Sequence, residues 1–201
     1  MKKLIIASNN QHKILEIKAM LEEFNFEVLS LNDAGINIDV DEDKDTFMGN
    51  ALKKAKEIFA IYSDEEKKDI YVLSDDTGLS VDYLDGAPGV YSARYCGVAH
   101  DDHGNNEKLL RELQGVSIDR RGAKFVTAMV LLGVGLEIKV YGEAKGIILE
   151  KKTRDEGFGY DPLFYSDDLE KSFAEATTQE KNQVSHRGRA LQNLTEELKK
   201  I

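Results

Sequence analysis

The chain has 201 residues, 41% of them hydrophobic and 32% charged, with a formal net charge of −10 at pH 7 and a pI near 5.0. A field of that sign repels polyanions and argues against a DNA or RNA binder held by a broad basic face, while a small anion carried with a metal remains compatible. One cysteine, Cys96, closes no internal disulfide; two prolines, no Gly/Ser-rich tract and no repeat lead us to expect one domain over residues 1–201.

At the N-terminus, MKKLIIASNNQHK carries only a short apolar run, too short for a signal peptide or a membrane span, so a cytoplasmic location with no membrane partner is expected. KLIIA (3–7) reads as a strand covered on both faces, and SNNQ leads from it into a helix whose stripe is Ile14, Ile17, Leu21 and Phe24. FEVLSL (26–31) reads as a second strand. After an acidic loop, Thr46 to Tyr62 is helical, with Phe47, Ala51, Ala55, Ile58 and Tyr62 on one face and Asp45 or Thr46 as its cap.

IYVLS (70–74) predicts a strand that stops before Asp75 and Asp76, GAPG (86–89) a turn, and Asn105 to Leu113 a helix. Residues 123–149, broken by GVG, read as two antiparallel strands joined in a hairpin. A last helix from about Gly188 has Leu191, Leu194, Leu198 and Ile201 on its inner stripe. Strand–helix units followed by a hairpin predict a mixed α/β sheet.

Five stretches carry candidate chemistry. SNNQHK stands where a strand enters a helix, a place that favours anions, and Lys13 in the first turn opposes the helix dipole unless it has an anionic partner; a plain cap with a solvated lysine is the other reading. In DTFMGNALKKA, Asn50 and Lys54 are four apart, on a polar stripe bordering the apolar face. In SDDTG, two adjacent carboxylates repel and call for a divalent cation, a cationic side chain or water; oxygen donors of this kind suit Mg²⁺. GFGYDPLF (157–164) either displays Phe158 for stacking or tucks it into the core. EKNQVSHRGRA gathers Lys181, Ser185, His186, Arg187 and Arg189 in an otherwise acidic chain. HDDH (100–103) has a metal-like composition, but a surface loop ahead of a helix accounts for it, and GVG lacks the strand-to-helix context of a dinucleotide fingerprint.

These motifs, SNNQHK, TFMGNALKKA, SDDTGLSVD with GAPGVYSARY, GFGYDPLF and SHRGRAL, resemble in order those of the Ham1-like inosine triphosphate pyrophosphatases, also called dITP/XTP pyrophosphatases. The resemblance spans nearly the whole chain. It implies an elongated mixed-sheet α/β fold with two lobes flanking a nucleotide cleft, a homodimer, and Mg²⁺-dependent release of pyrophosphate from non-standard purine nucleotides. Carried over, Ser8, Asn9, Asn10, Gln11, His12 and Lys13 bind the triphosphate, Glu42 and Asp76 hold Mg²⁺, and Asp76 is the catalytic base. Thr77 contacts substrate, while Phe158, Gly159, Tyr160, Asp161, Lys181, His186 and Arg187 form the base and sugar pocket. The chain departs from the family in having Asp43 and Lys44 after Glu42, and Gly49 before Asn50, so Glu42 stands among several alternative acids.

Overall fold

The computed structural model describes residues 2–155 and 157–200, and of His12 the backbone alone. Strands β1 (Lys3–Ile6), β2 (Glu27–Leu29), β3 (Ile70–Val81), β4 (Gly122–Gly133), β5 (Leu136–Ile148), β6 (Phe164–Ser166) and β7 (Lys171–Ser172) form one sheet in the order β2-β1-β3-β4-β5-β6-β7. β1 runs parallel to β2 and to β3, whereas β5–β6 and β6–β7 are antiparallel, so the sheet is mixed. The helices are α1 (Gln11–Met20), α2 (Phe47–Ala60), α3 (Asp102–Glu112), α4 (Thr178–Val184) and α5 (His186–Leu198).

The chain divides into two compact units, with the divisions falling inside β3, β4, β5 and α5. Unit 1 comprises residues 1–76, 128–141 and 190–201; unit 2 comprises 77–127 and 142–189.

Unit 1 has a core on each face of its strands, as a period of two dictates. Leu4, Ile6 and Leu73 pack with Ile14 and Ile17 of α1 and with Leu191 and Leu194 of α5. Ile5 and Val72 pack with Ala51, Ala55 and Ile58 of α2 on the other face. Burial on both faces is why KLIIA shows no alternation. Each fully buried Leu or Ile here contributes roughly 1.5–3 kcal/mol, enough to hold α1 in place despite the lysine in its first turn. Leu198 is partly buried against the first core, and Ile201 lies outside the described residues. In unit 2, Leu79, Val81, Leu109, Leu113, Phe125, Phe164 and Phe173 belong to a third cluster.

The expected strand end at Ser74 is corrected: β3 continues through both aspartates to Val81. Charge alone suggested a stop, but a strand interior accepts carboxylates when helices on its two faces supply partners. Thr46 is the α2 cap, accepting from the Gly49 N–H at 3.0 Å. α3 begins three residues earlier than its apolar spacing implies, because Asp101 caps it by accepting from the Gly104 N–H at 2.9 Å. The last helix begins at His186, with Ser185 accepting from the Gly188 N–H at 3.0 Å, and α4, a short polar helix without an apolar stripe, precedes it unpredicted. The strands around GVG are adjacent, and their two-residue connection makes them an antiparallel hairpin.

Candidate active site

In unit 1 the alternation of β3 separates the adjacent aspartates. Tyr71, Leu73 and Asp75 share the face of α1; Val72, Ser74 and Asp76 share the face of α2. Asp75 accordingly meets Lys13 of α1, with Nζ 2.8 Å from Oδ1, and Ser74 Oγ donates to the Ala51 carbonyl of α2 at 2.6 Å. Asp76 meets Asn50 of α2, whose Nδ2 donates to Oδ2 at 2.9 Å. The carboxylates are therefore not each other's nearest problem; each has its own helix.

Asn50 is 1% exposed, and its Oδ1 accepts the Lys44 N–H at 2.8 Å, so one amide ties the acidic loop to Asp76. Lys54, one turn further on, pairs with Glu42 and reaches the Asp75 carbonyl at 3.4 Å. Burial lowers its pKa, but the negative charges of Glu42, Asp75 and Asp76 outweigh that and raise it, so Lys54 stays cationic. Among the acids of the 41–45 loop, Glu42 faces Lys54, while Asp43 pairs with Lys44 and Lys53 at the surface.

The SNN turn is built by its own side chains. Ser8 Oγ accepts from the Asn10 N–H at 3.1 Å, Asn9 Oδ1 from the Asn32 N–H at 2.9 Å, and Asn10 Oδ1 from the Lys13 N–H at 3.2 Å, which caps α1. Those contacts use the carbonyl ends of both asparagines, leaving the amide NH₂ groups as the ends available to an anion. Asn9, Asn10 and Gln11 are exposed; the His12 side chain lies outside the described residues. Lys13 thus has the anionic partner its position against the dipole calls for, and that partner is within the protein.

Among the described residues no three His, Cys, Asp or Glu side chains converge as a metal cluster. Glu42 and Asp76 instead offer carboxylates that both act on the one Lys54 ammonium. A hard cation that takes one or two carboxylates and completes its shell with water and phosphate oxygens fits such a donor set; an all-protein cage does not.

In unit 2, Phe158 is 74% exposed, which decides for display over burial. Gly159 beside it adopts φ +56°, a conformation glycine takes without strain. Tyr160 is buried instead, its hydroxyl donating to the Ser92 carbonyl at 2.8 Å. Asp161 pairs with Lys181, whose ammonium also lies 5.2 Å from the centre of the Phe173 ring. Burial raises the Asp161 pKa, with Lys181 opposing the shift. The His186 ring stacks on Phe125, centroids 4.9 Å apart and planes 18° from parallel, so one face is covered; Arg187 is half-buried. Thr77 Oγ1 lies 2.8 Å from Oγ1 of the buried Thr127. Arg189 is occupied structurally, donating to the Glu143 carbonyl and pairing with Asp168.

Lys181 is placed by α4, whose start is a capping box: Glu180 accepts the Thr177 N–H at 2.8 Å and Thr177 Oγ1 accepts the Glu180 N–H at 3.2 Å. Lys171, followed by the Thr177 N–H and hydroxyl, pulls the Glu180 pKa down to about 2. Because that value lies below the 4.5 of an ordinary glutamate, the cap's contribution is fully present above pH 4.5 and is lost as pH falls through about 2. A carboxyl NMR titration should place the Glu180 midpoint near 2; a midpoint near 4.5 removes this account.

Four residues matter here that the sequence reading did not assign to the site. Asn50 and Thr127 touch Asp76 and Thr77 directly, and Asp102 and Asn106 of α3 bond to Gly159. Asn50 had a signal, its place on the stripe with Lys54. Asp102 stands in HDDH, whose composition reads as a surface loop, and Thr127 and Asn106 had no signal.

The fold alone places the chain in a class of mixed α/β proteins with solved members. It superposes on the structure of the Staphylococcus aureus Ham1 protein with TM-score 0.87 at 36% identity, covering 98% of both chains. A Coxiella burnetii HAM1 protein gives TM-score 0.86 at 30% identity over the full length of both. A family model described as Ham1 family matches residues 4–197, and the chain belongs to that family. It is 52% identical to the dITP/XTP pyrophosphatase of Clostridium perfringens over 100% of this chain and 99% of that protein.

Proposed function

We propose that the chain is a nucleoside-triphosphate pyrophosphatase that hydrolyses non-standard purine nucleotides (ITP, dITP and XTP) to the monophosphate and pyrophosphate, clearing them from the nucleotide pool. The observation that carries it is the division of labour on β3. Asp75 is neutralised by Lys13, while Asp76, 8% exposed, has a neutral amide donor and stands within the field of Lys54. A carboxylate beside the site is a group that can take a proton from an attacking water, and cations beside it suit a polyphosphate. Membership of a family whose curated relatives are named dITP/XTP pyrophosphatase supports the same reading.

In this reading Asp76 takes the proton of a water whose oxygen attacks the α-phosphorus, and the bond to the β-phosphate oxygen breaks. Lys13, 18% exposed at its side chain, has ammonium protons besides the one on Asp75 to offer a phosphate oxygen, as does Lys54 beyond Glu42. Ser8, Asn9, Asn10 and Gln11 surround the start of α1, where N–H groups and the dipole favour the same charge. Glu42 and Asp76 would hold Mg²⁺. When bound, that ion would neutralise charge on the triphosphate.

Phe158 would stack on the purine. Lys181, His186 or Arg187 would donate to its 6-oxo group, where adenine instead presents a donor and would leave both groups unpaired. Asp161 holds the Lys181 ammonium and so orients it. A homodimer and a cytoplasmic location belong to this reading as well; no helix among the described residues is long and apolar enough to cross a membrane.

Incubating the purified protein with Mg²⁺ and a panel of nucleoside triphosphates, and resolving the products by phosphorus NMR, tests the proposal. Pyrophosphate from ITP and XTP, with ATP spared, is the expected result. Orthophosphate would indicate instead a phosphatase with an aspartyl nucleophile, and no turnover a binding module.

A further inference from the structure

The exposed Phe158 ring sits on a loop that α3 grips from both sides of one residue. Asp102 Oδ2 accepts the Gly159 N–H at 2.8 Å, and Asn106 Nδ2 donates to the Gly159 carbonyl at 2.8 Å. The same Nδ2 donates to the Asp102 carbonyl at 2.7 Å, which locks the two α3 residues, one turn apart, into a single bracket. Asn106 is 3% exposed, and a buried amide is costly unless bonded; here its donor group is bonded to the loop. On either side the loop has little slack. Tyr160 is anchored through Ser92, and a Cβ on Gly157 would come within 2.6 Å of Pro162 Cγ.

A solvent-exposed phenyl ring gains by lying down on neighbouring apolar surface, so a ring held 74% exposed requires a backbone that does not yield. We propose that Asp102 and Asn106 are positioning residues that fix the Gly159 peptide, so that Phe158 stands as a preformed stacking platform for the purine base. This rests on the pyrophosphatase reading and names how that site recognises its base. It also gives HDDH a task without a metal: Asp101 caps α3 and Asp102 holds the loop. A platform fixed in advance avoids the ordering cost that a mobile loop meets on binding, so the effect falls on affinity rather than on the chemical step.

Asp102→Ala and Asn106→Ala should each raise KM for inosine triphosphate about tenfold, the scale of one base–aromatic stack, with kcat changed less than about threefold. Asp102→Asn, whose carbonyl still accepts the Gly159 N–H, should stay within about threefold of the parent in KM. On a Phe158→Ala background, Asp102→Ala should add nothing, since it acts through the ring. A full tenfold loss on that background overturns the proposal. A second measurement needs no substrate. The chain has no tryptophan, so Phe158→Trp introduces a unique fluorophore. Adding Asp102→Ala should lower its anisotropy and increase its quenching by acrylamide, while adding Asp102→Asn should not; unchanged anisotropy and quenching with Asp102→Ala also overturn the proposal. If the parent protein fails to turn over inosine triphosphate, the pyrophosphatase reading falls, and the fluorescence still decides the bracket. Should Asn106→Ala not fold, the Asp102 variants decide it alone.

Discussion

Asp76→Asn is expected to lower turnover of inosine triphosphate at least ~100-fold, a loss of about 3 kcal/mol of transition-state stabilisation, with the fold intact. The substitution keeps the shape, and the new side-chain carbonyl can still accept from Asn50 Nδ2, so the link from Asn50 to the Lys44 N–H persists. What disappears is the charge, and with it both the proton acceptor and one of the two carboxylates that would hold Mg²⁺. Steady-state pyrophosphate release and thermal unfolding, measured on the same preparation, separate these effects. Near-normal turnover would remove Asp76 from the chemistry. A large fall in melting temperature would instead mean that its charge serves the fold.

Lys13→Met is expected to destabilise the protein by about 3 kcal/mol, because it leaves the Asp75 carboxylate, 4% exposed at its side chain, without its ion-pair partner. Breaking a buried pair costs roughly 3–5 kcal/mol; the lower end applies because Lys13 is partly exposed and Lys54 still acts on Asp75. For a chain of this length the melting temperature should fall by roughly 6–12 °C. Adding Asp75→Asn to Lys13→Met should recover most of the loss, since an amide tolerates that position without a cation far better than a carboxylate does. If Lys13→Met melts with the parent protein, or if the second substitution recovers nothing, Lys13 is not what compensates Asp75. Thermal unfolding followed by circular dichroism reads both variants.

Much of the fold was legible because its signals are local. The apolar run Leu4–Ala7, the spacing of Ile14, Ile17 and Leu21, and the Thr46 cap each describe a segment by its own residues, and the structure has β1, α1 and α2 where those signals lie. Placement failed where a signal was ambiguous. Asp75 and Asp76 looked like the end of a strand because charged pairs usually sit at the surface, yet β3 passes through them. α4 has no apolar stripe to announce it, and α3 begins at an aspartate that composition had assigned to a loop.

The candidate site divides in the same way. Which residue types carry the chemistry could be read from motifs in order: SNNQHK, SDDTG, GFGYDPLF and SHRGRAL. Their partners could not. Lys13 and Asp75 are 62 residues apart, Asn50 and Asp76 are 26, and Asn106 and Gly159 are 53. The sequence by itself determined the class of fold, the family and the short list of candidate side chains, because periodicity, capping and motif order are properties of neighbours along the chain. Only the tertiary structure decided that Asp75 faces α1 and Lys13 while Asp76 faces α2 and Asn50. It decided too that Phe158 stands in solvent while Tyr160 is buried. The reason is physical: a strand sends successive side chains to opposite faces, and what waits on each face is set by helices that the chain brings in from elsewhere.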